Sequence, residues 1–403
     1  STIVTDHHKP QKKSPDAISI INPWIYENEN LSFKDYSGSA VAYKLCHAIN
    51  INLELDFINM DDIMPFAALG IISDKVKIEG ENRYITYHGF NQIRKNKIQN
   101  LTALNKKLFP YMNEIDPNKI IRVINMTTKL ENPSLAIKLF TTNVPAQINS
   151  IIDLIAKKYK TNQITFNNLI QESLRKAYSQ NYKSDNCIFI ISNFDSAYNG
   201  AVASTISKKL NVPAVVISKM KNRQLFKGSA RSINGINLFS ILTSLKENLI
   251  TMGGHPMAAG FTIEEKKIKI FKNLFCDLMQ NNEIVPNVTF NKTVDGVINF
   301  NEIDTNFLNF IEHFMPYGTG NPNPIFKTKN IHVIDKPKVI GRNLDTLEFQ
   351  VENRGLKMNC IGIGLINSFE KLVSKNNLNI DYNIINNNDK ISLNVIGVHQ
   401  DVN

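Results

Sequence analysis

The alternation of apolar and polar positions divides the chain into four stretches. Thr2-Ile3-Val4-Thr5 reads as a short buried strand that runs straight into the polar triplet Asp6-His7-His8. Side chains at the C-terminal ends of strands in an α/β sheet face the ligand crevice. Val41, Leu45 and Ile49 recur at helical spacing over 38–49, and the apolar segment 63–72 predicts a second helix ending on Ser73-Asp74. This alternation predicts a parallel, doubly wound sheet over 1–148. From 149 to 178, Ile152, Ile155, Tyr159, Phe166, Ile170 and Leu174 recur at helical intervals without Pro or Gly. The pattern predicts a long connecting helix or helix pair over 149–180 and a domain boundary with it.

A second α/β unit is predicted over 181–285, with strands at 187–192 and 213–218 and helices at 200–210 and 238–247. A turn at 228–235, a loop at 253–260 and a closing helix at 264–280 complete it. Beyond Pro286 the texture changes to short alternating segments at 288–290, 332–334, 347–351, 359–363 and 391–398. Such spacing predicts a small five-stranded barrel of the OB type over 286–403, with Asn386–Asn388 at a hairpin tip.

A length of 403 residues with 42% hydrophobic positions suits two or three cores. The net charge of +10 changes the picture mainly by its placement. Between Lys157 and Arg231 stand 13 Lys and Arg against Glu172, Asp185 and Asp195, so 13 − 3 equals the charge of the whole chain. A run so one-sided suggests a groove that follows phosphates. Cys46, Cys187, Cys276 and Cys360 are far apart and form no CxxC pair, which argues against a zinc knuckle or a disulfide framework and fits a reducing cytoplasm. No apolar run approaches the roughly 20 residues of a membrane span, and the N-terminus lacks a signal-peptide pattern. The chain opens on a strand at Ser1, as if an initiator Met had been removed or as a piece of a longer polypeptide.

Three constellations carry chemistry. Asp6-His7-His8 joins a carboxylate to two imidazoles at a strand end, a donor set that suits manganese, and phosphodiester hydrolysis is helped by two ions that activate water and hold the leaving oxygen. Gly70-Ile71-Ile72-Ser73-Asp74 supplies a second carboxylate at the end of an apolar segment. Gly253-Gly254-His255-Pro256-Met257-Ala258-Ala259-Gly260 is built of small residues that let backbone approach a phosphate or sugar, with one His as a directed donor.

The order of these segments, with Gly228-Ser229-Ala230-Arg231-Ser232 between the second and third, resembles the DHH phosphoesterases with their DHH-associated second domain. Pro316-Tyr317-Gly318-Thr319-Gly320-Asn321-Pro322-Asn323-Pro324-Ile325-Phe326 resembles the opening of the OB domain of the RecJ exonucleases within that family. Asn22-Pro23, Gly38-Ser39-Ala40-Val41-Ala42 and Glu81-Asn82-Arg83 are smaller echoes of RecJ. The resemblance implies an α/β fold of three parts: a partial parallel-sheet DHH domain, a DHH-associated domain joined by the long helix, and an OB barrel. It implies 5′-to-3′ digestion of single-stranded DNA in repair and recombination, with Mn2+ or Mg2+ as cofactor. His7 and Asp74 would be metal ligands, Asp6 would orient the histidine pair, and His8 would meet the metal or the scissile phosphate. Ser229 and Arg231 would hold the 5′ phosphate, Ser232 would also bind substrate, and His255 would sit near the cleaved bond. Gly253, Gly254, Asn125 and Lys129 would contact the strand. A single-strand binding protein would be a candidate partner of a cytoplasmic monomer.

Several positions depart from the family pattern. The Asp-rich strand motif and further Asp that precede the triplet in the family have no place before residue 6, so weak metal binding and slow or absent cleavage are expected of this chain. Asp61-Asp62, ahead of the second helix, does not fall where those ligands do. Lys129, Val123 and Arg122 stand where RecJ proteins carry an Arg-rich stretch, and Ser196-Ala197-Tyr198-Asn199 replaces a His-containing one. Two other readings stay open: a nano-RNase or cyclic-dinucleotide phosphodiesterase, which would have no need of an OB barrel, and a catalytically dead single-strand DNA or repair-partner binding protein.

Overall fold

The computed structural model describes residues 2–10, 14–25, 33–55, 59–112, 114–130, 133–182, 184–220, 224–233, 235–281, 293–341, 346–374, 378–387 and 390–400. Two compact units emerge, Ser1–Asn125 with Asn291–Asn403, and Met126–Phe290. In the first, β1 (Ile3–Thr5) and β2 (Ser19–Ile21) pair in parallel, Ile3 opposite Ser19 and Thr5 opposite Ile21. Helices then follow one another: α1 (Gly38–Asn52), α2 (Met60–Asp74), α3 (Gly80–Arg94), α4 (Gln99–Leu108) and α5 (Pro117–Leu130), which continues into the second unit. Among the described residues, this one parallel pair is all that stands for the sheet expected over 1–148.

Helix starts in this region are set by caps. The Ser37 hydroxyl accepts from the Ala40 amide at 3.2 Å ahead of α1, and the Asn59 side-chain Oδ1 accepts from the Asp61 amide at 3.0 Å ahead of α2. Because Asn59 starts α2 so early, Asp61 and Asp62 lie in its first turn, where the helix dipole favours acids, and not ahead of it as the sequence suggested. Gly89 lets α3 lie close to α2: a Cβ there would stand 2.6 Å from Ala68 Cβ and 3.0 Å from the Met64 carbonyl. The Glu81-Asn82-Arg83 segment holds this unit together. Glu81 accepts from the Tyr36 hydroxyl at 2.8 Å, Asn82 is fully buried and donates to the Asp35 and Lys77 carbonyls, and Arg83 donates to the His313 carbonyl at 3.2 Å.

The second unit begins with the rest of α5, then α6 (Ser134–Thr141) and α7 (Pro145–Tyr178), a single helix of 34 residues where a helix or helix pair was expected. Its sheet contains β3 (Ile188–Ser192), β4 (Ala214–Lys219), β5 (Leu225–Arg231), β6 (Thr251–His255) and β7 (Ala258–Glu264), in the order β3-β4-β5-β7-β6. Only β3 and β4 run parallel; the other pairs are antiparallel. The helices are α8 (Asn199–Leu210), α9 (Leu238–Ser244) and α10 (Ile268–Asn281). Alternation along the strands divides the core in two. Ile188, Ile190, Ala214 and Val216 pack with Ile170, Leu174 and Val202 of α7 and α8. Phe189, Val215 and Ile217 pack with Leu238, Leu242, Phe271 and Phe275 of α9 and α10. Being covered on both faces except at the exposed Ile191, β3 and β4 read as continuous apolar runs.

Two glycine-rich segments expected as a turn and a loop are strands. Residues 228–231 lie in β5, and residues 253–260 form the hairpin of β6 and β7 around Pro256-Met257. Glycine in a strand interior often marks close packing, and a Cβ on Gly228 would overlap the Phe261 ring. Gly228→Ala is therefore expected to destabilise the protein by about 1–3 kcal/mol through overpacking, read as a lower urea midpoint.

The last stretch, within the first unit, contains β8 (Gly296–Val297), α11 (Thr305–Glu312), β9 (Phe326–Val333), β10 (Lys338–Ile340), β11 (Thr346–Asn353), β12 (Leu356–Ile363), α12 (Phe369–Ser374), β13 (Leu378–Asn387) and β14 (Lys390–Gln400). Strands β9, β11, β12, β14 and β13 close into a five-stranded ring, since β11 pairs with β9 as well as with β12. Order and closure are those of an OB barrel, with α12 between its third and fourth strands. The expected strand at 288–290 and the side chains of Asn386–Asn388 lie outside the described residues. The segment resembling the RecJ OB opening docks on the α2–α3 turn: the Ile78 amide donates to the Thr319 carbonyl at 2.7 Å, and a Cβ on Gly320 (φ +79°) would stand 2.9 Å from the Glu79 carboxylate.

Candidate metal centre and phosphate-binding strand

In the first unit, Asp6 follows β1 directly and its amide donates to the Ile21 carbonyl at 3.0 Å. The chain then turns. Asp6 Oδ1 accepts from the backbone amides of His7 at 2.7 Å and His8 at 3.2 Å, and lies 2.8 Å from His8 Nδ1. Asn22 fixes the far side of the turn by donating to the His8 carbonyl at 2.9 Å. The turn allows two adjacent histidines to converge, with ring centroids 4.1 Å apart, where a straight strand would send them to opposite faces.

His7 sits against the first residue of α1, its Nδ1 3.2 Å from where a Cβ on Gly38 would stand. Its Nε2 lies 2.7 Å from Asp74 Oδ2, the carboxylate that ends α2. Ser73 beside it donates to Asn125 Oδ1 at 3.0 Å. The consecutive Asp6, His7 and His8 are thus joined through His7 by Asp74 from a distant part of the sequence, and one donor atom each of Asp6, His7 and His8 lie within 4.8 Å of one another. Burial opposes ionisation of Asp6, but the His8 ring and the amides of His7 and His8 outweigh it and hold the carboxyl below its usual range. With Nδ1 on the ionised Asp6, His8 Nε2 is the ring atom left to bind an ion. Two imidazoles with two carboxylates form a mixed nitrogen and oxygen set that fits a manganese-type ion better than magnesium, which favours oxygen alone.

In the second unit, Ser229 and Arg231 lie two apart on β5 and so share one face of the sheet. Arg231 donates from Nη1 to Ser229 Oγ at 2.9 Å and to the Ala230 carbonyl at 2.8 Å. Its other terminal nitrogen stands 2.8 Å from where a Cβ on Gly200 would be, so glycine at the start of α8 makes room for the guanidinium. Burial lowers the Arg231 pKa without removing the charge, and among the described residues no carboxylate pairs with it. Strand register extends the face. Arg231 lies opposite Ala258 and Ala258 opposite His255; Ser229 lies opposite Gly260 and Gly260 opposite Gly253. Two rows of three residues thus run across β5, β7 and β6, with a basic residue at each end of one row and glycine or alanine between. A half-buried cation that no carboxylate among the described residues neutralises, above a floor of small residues, is suited to a phosphate. Gly254 (φ +149°) tolerates no side chain, since a Cβ would come within 2.5 Å of Ala259 Cα.

Ser232 turns elsewhere, its hydroxyl lying 2.7 Å from the Ile236 carbonyl and 3.0 Å from that of Ile233. The Lys129 side chain lies outside the described residues, as do Lys183, Lys221 and Arg223 of the basic run. Within that run Lys176 pairs with Glu172 at 2.8 Å and Lys219 with Glu265 at 3.2 Å, while Lys208 and Lys209 close the last turn of α8. Sequence reasoning missed Asn199 as a support. It is buried, donates to the Lys227 carbonyl of β5 at 2.7 Å and accepts from Ser218, fixing α8 against the strand that carries Arg231.

Comparison with known proteins adds two domain matches. A DHHA1 domain model matches residues 186–281, and a RecJ OB domain model matches residues 294–396. The chain is RecJ-like. It is 26% identical over 364 residues to the single-stranded-DNA-specific exonuclease RecJ of Bacillus subtilis, covering 89% of this chain and 45% of that protein. It is 24% identical to RecJ of Escherichia coli over 389 residues, covering 87% and 66% of the two chains. The crystal structure of Thermus thermophilus RecJ in complex with Mn2+ superposes with a TM-score of 0.78 at 20% identity, over all of this chain and 58% of that one. The RecJ-like chain thus spans about half the length of the relatives it matches. No helix among its described residues is long and apolar enough to cross a membrane.

Proposed function

We propose that this chain belongs to a metal-dependent exonuclease that digests single-stranded DNA from the 5′ end. The observation that carries the reading is the meeting of Asp6, His7 and His8 with Asp74 at the ends of β1 and α2. His7 and Asp74 would hold a Mn2+ or Mg2+ ion, with His8 Nε2 directed to the ion or to the scissile phosphate and Asp6 holding His8 in place. A bound ion would supply an acidified water and a Lewis acid for the phosphodiester oxygen. Arg231 and Ser229 would bind the terminal 5′ phosphate, His255 would meet the strand near the cleaved bond, and Gly253 and Gly254 would let it lie close to the backbone. Ser232, Asn125 and Lys129 would be further substrate-binding residues. The domain reading that goes with this is a DHH region over 1–148, a connecting helix over 149–180, a DHH-associated domain over 181–285 and an OB-like domain over 286–403. The protein would act as a cytoplasmic monomer, with a single-strand binding protein as partner.

The test is digestion by the 403-residue chain of a 5′-phosphorylated single-stranded oligonucleotide, with binding recorded in parallel. The expected result is binding that prefers the single strand to the duplex, with slow, manganese-dependent shortening from the 5′ end. Digestion from the 3′ end, or equal binding of duplex, would overturn the reading. A second reading is favoured by the donor count: among the described residues the cluster brings only the carboxylates of Asp6 and Asp74, fewer than two close cations need. Single-strand binding with no shortening at any manganese concentration would establish that reading, a binding protein without chemistry.

A further inference from the structure

In the second unit, two thiols face each other across the join between sheet and helix. Cys187 immediately precedes β3 and is 2% exposed, packed among the apolar residues of β4 and α10. Cys276 lies on α10, half-buried, and its Sγ is 3.4 Å from that of Cys187, 89 positions earlier in the chain. We propose that Cys187 and Cys276 are a peroxide-sensitive thiol pair that closes to an intramolecular disulfide, with Cys276 as the attacking and Cys187 as the resolving sulfur.

The assignment of roles rests on position. Cys276 is the more exposed of the two cysteines, with Lys272 one helical turn before it, and it receives the hydrogen bond that Cys187 donates. That hydrogen bond favours the Cys276 thiolate and, with help from Lys272, holds its pKa below the ordinary thiol value against burial and the neighbouring Asp185 and Asp277. The same hydrogen bond, and then burial, push Cys187 the other way. Oxidation starts on the reachable thiolate. Cys276 sulfur attacks one oxygen of hydrogen peroxide, the O–O bond breaks, and hydroxide leaves, giving a sulfenic acid on Cys276. Cys187 sulfur then attacks the Cys276 sulfur, the S–O bond breaks, and the Cys187 proton departs with the hydroxyl as water. Two thiols and one peroxide become one disulfide and two waters. The sulfurs must approach by about 1.4 Å to reach a disulfide bond length. Neither of the other cysteines duplicates the arrangement: Cys360 is fully buried in the barrel and Cys46 lies in α1, both in the first unit. The disulfide would tie α10 to the start of β3, closing a long loop of the second unit.

The experiment is peptide mapping of the native chain after hydrogen peroxide, iodoacetamide and non-reducing digestion. The expected result is a linked peptide holding Cys187 and Cys276, loss of alkylation at both, recovery of both on adding dithiothreitol, and an upward shift of the thermal midpoint in the oxidised protein. Cys187→Ser should leave a Cys276 sulfenic acid that dimedone traps, whereas Cys276→Ser should leave Cys187 fully reduced after peroxide. If Cys187→Ser does not fold, wild type and Cys276→Ser decide the matter alone. Two thiols that both remain alkylatable after peroxide and denaturation, or a Cys276 carried to the sulfinic acid without any linked peptide, would overturn the proposal.

Discussion

Replacing His7 with alanine is expected to lower the affinity of the chain for Mn2+ by more than about 100-fold, because even second-sphere partners of metal ligands cost about 10–100-fold when removed. His7 is the side chain through which the two halves of the cluster meet, with Asp74 at 2.7 Å on one nitrogen and Asp6 at 3.8 Å from the other. Any manganese-dependent hydrolysis should vanish with the ion, while binding of single-stranded DNA should persist, because Arg231 and the small-residue floor belong to the second unit. Titration of Mn2+ by calorimetry, beside a circular-dichroism melt to confirm the fold, reads the effect. Unchanged affinity in His7→Ala would place the ion elsewhere and remove the basis for the proposed function.

Arg231→Ala should erase the preference for a 5′-phosphorylated end. Hydrogen bonds to charged groups contribute about 1.5–3 kcal/mol, which corresponds to roughly 10–150-fold in the ratio of Kd for 5′-hydroxyl and 5′-phosphate oligonucleotides. Arg231→Lys should retain part of the preference, since it keeps the charge and loses the fork that addresses two phosphate oxygens. Fluorescence anisotropy with paired oligonucleotides separates this from general charge loss, which would weaken both ligands alike. Equal affinity for both ends in the unmodified protein would sink the assignment.

How far sequence reached depended on which physical signal each element leaves. Helix α7 was legible because Ile152, Ile155, Tyr159, Ile170 and Leu174 repeat at helical spacing and are all buried. Strands β3 and β4 were legible because burial on both faces makes them continuously apolar. The glycine-rich segments read as turn and loop because glycine is depleted from strands, and what overrides that preference is tertiary: the Phe261 ring fills the space beside Gly228. Strand β13 was missed although Leu378, Ile380 and Tyr382 alternate and are buried, because Asn379 and Asp381 between them and Asn383 after them resemble loop composition. In the metal cluster, Asp6, His7 and His8 were visible as neighbours and Asp74 by its place in the motif order. The turn that lets both histidines converge, made by Asp6 accepting from two amides, left no mark in spacing. Gly200 beneath Arg231 and Asn199 behind it depend on contacts across some thirty residues, which periodicity does not record.

The closed ring of the barrel bears on how quickly that part of the chain can reach its native state. Strands β11 and β12 are joined by two residues, Arg354 and Gly355, both with positive φ (51° and 82°), the geometry of a tight right-twisting hairpin that forms locally. Closure instead needs β9 to find β13, with Phe326 opposite Tyr382 and Ile331 opposite Leu378. The intervening loop must be ordered before that contact returns any free energy. Sequence-distant pairing of this kind slows folding, so the ring should set the pace of the first unit, its strands waiting on one long search after the helices and the β11–β12 hairpin have already formed.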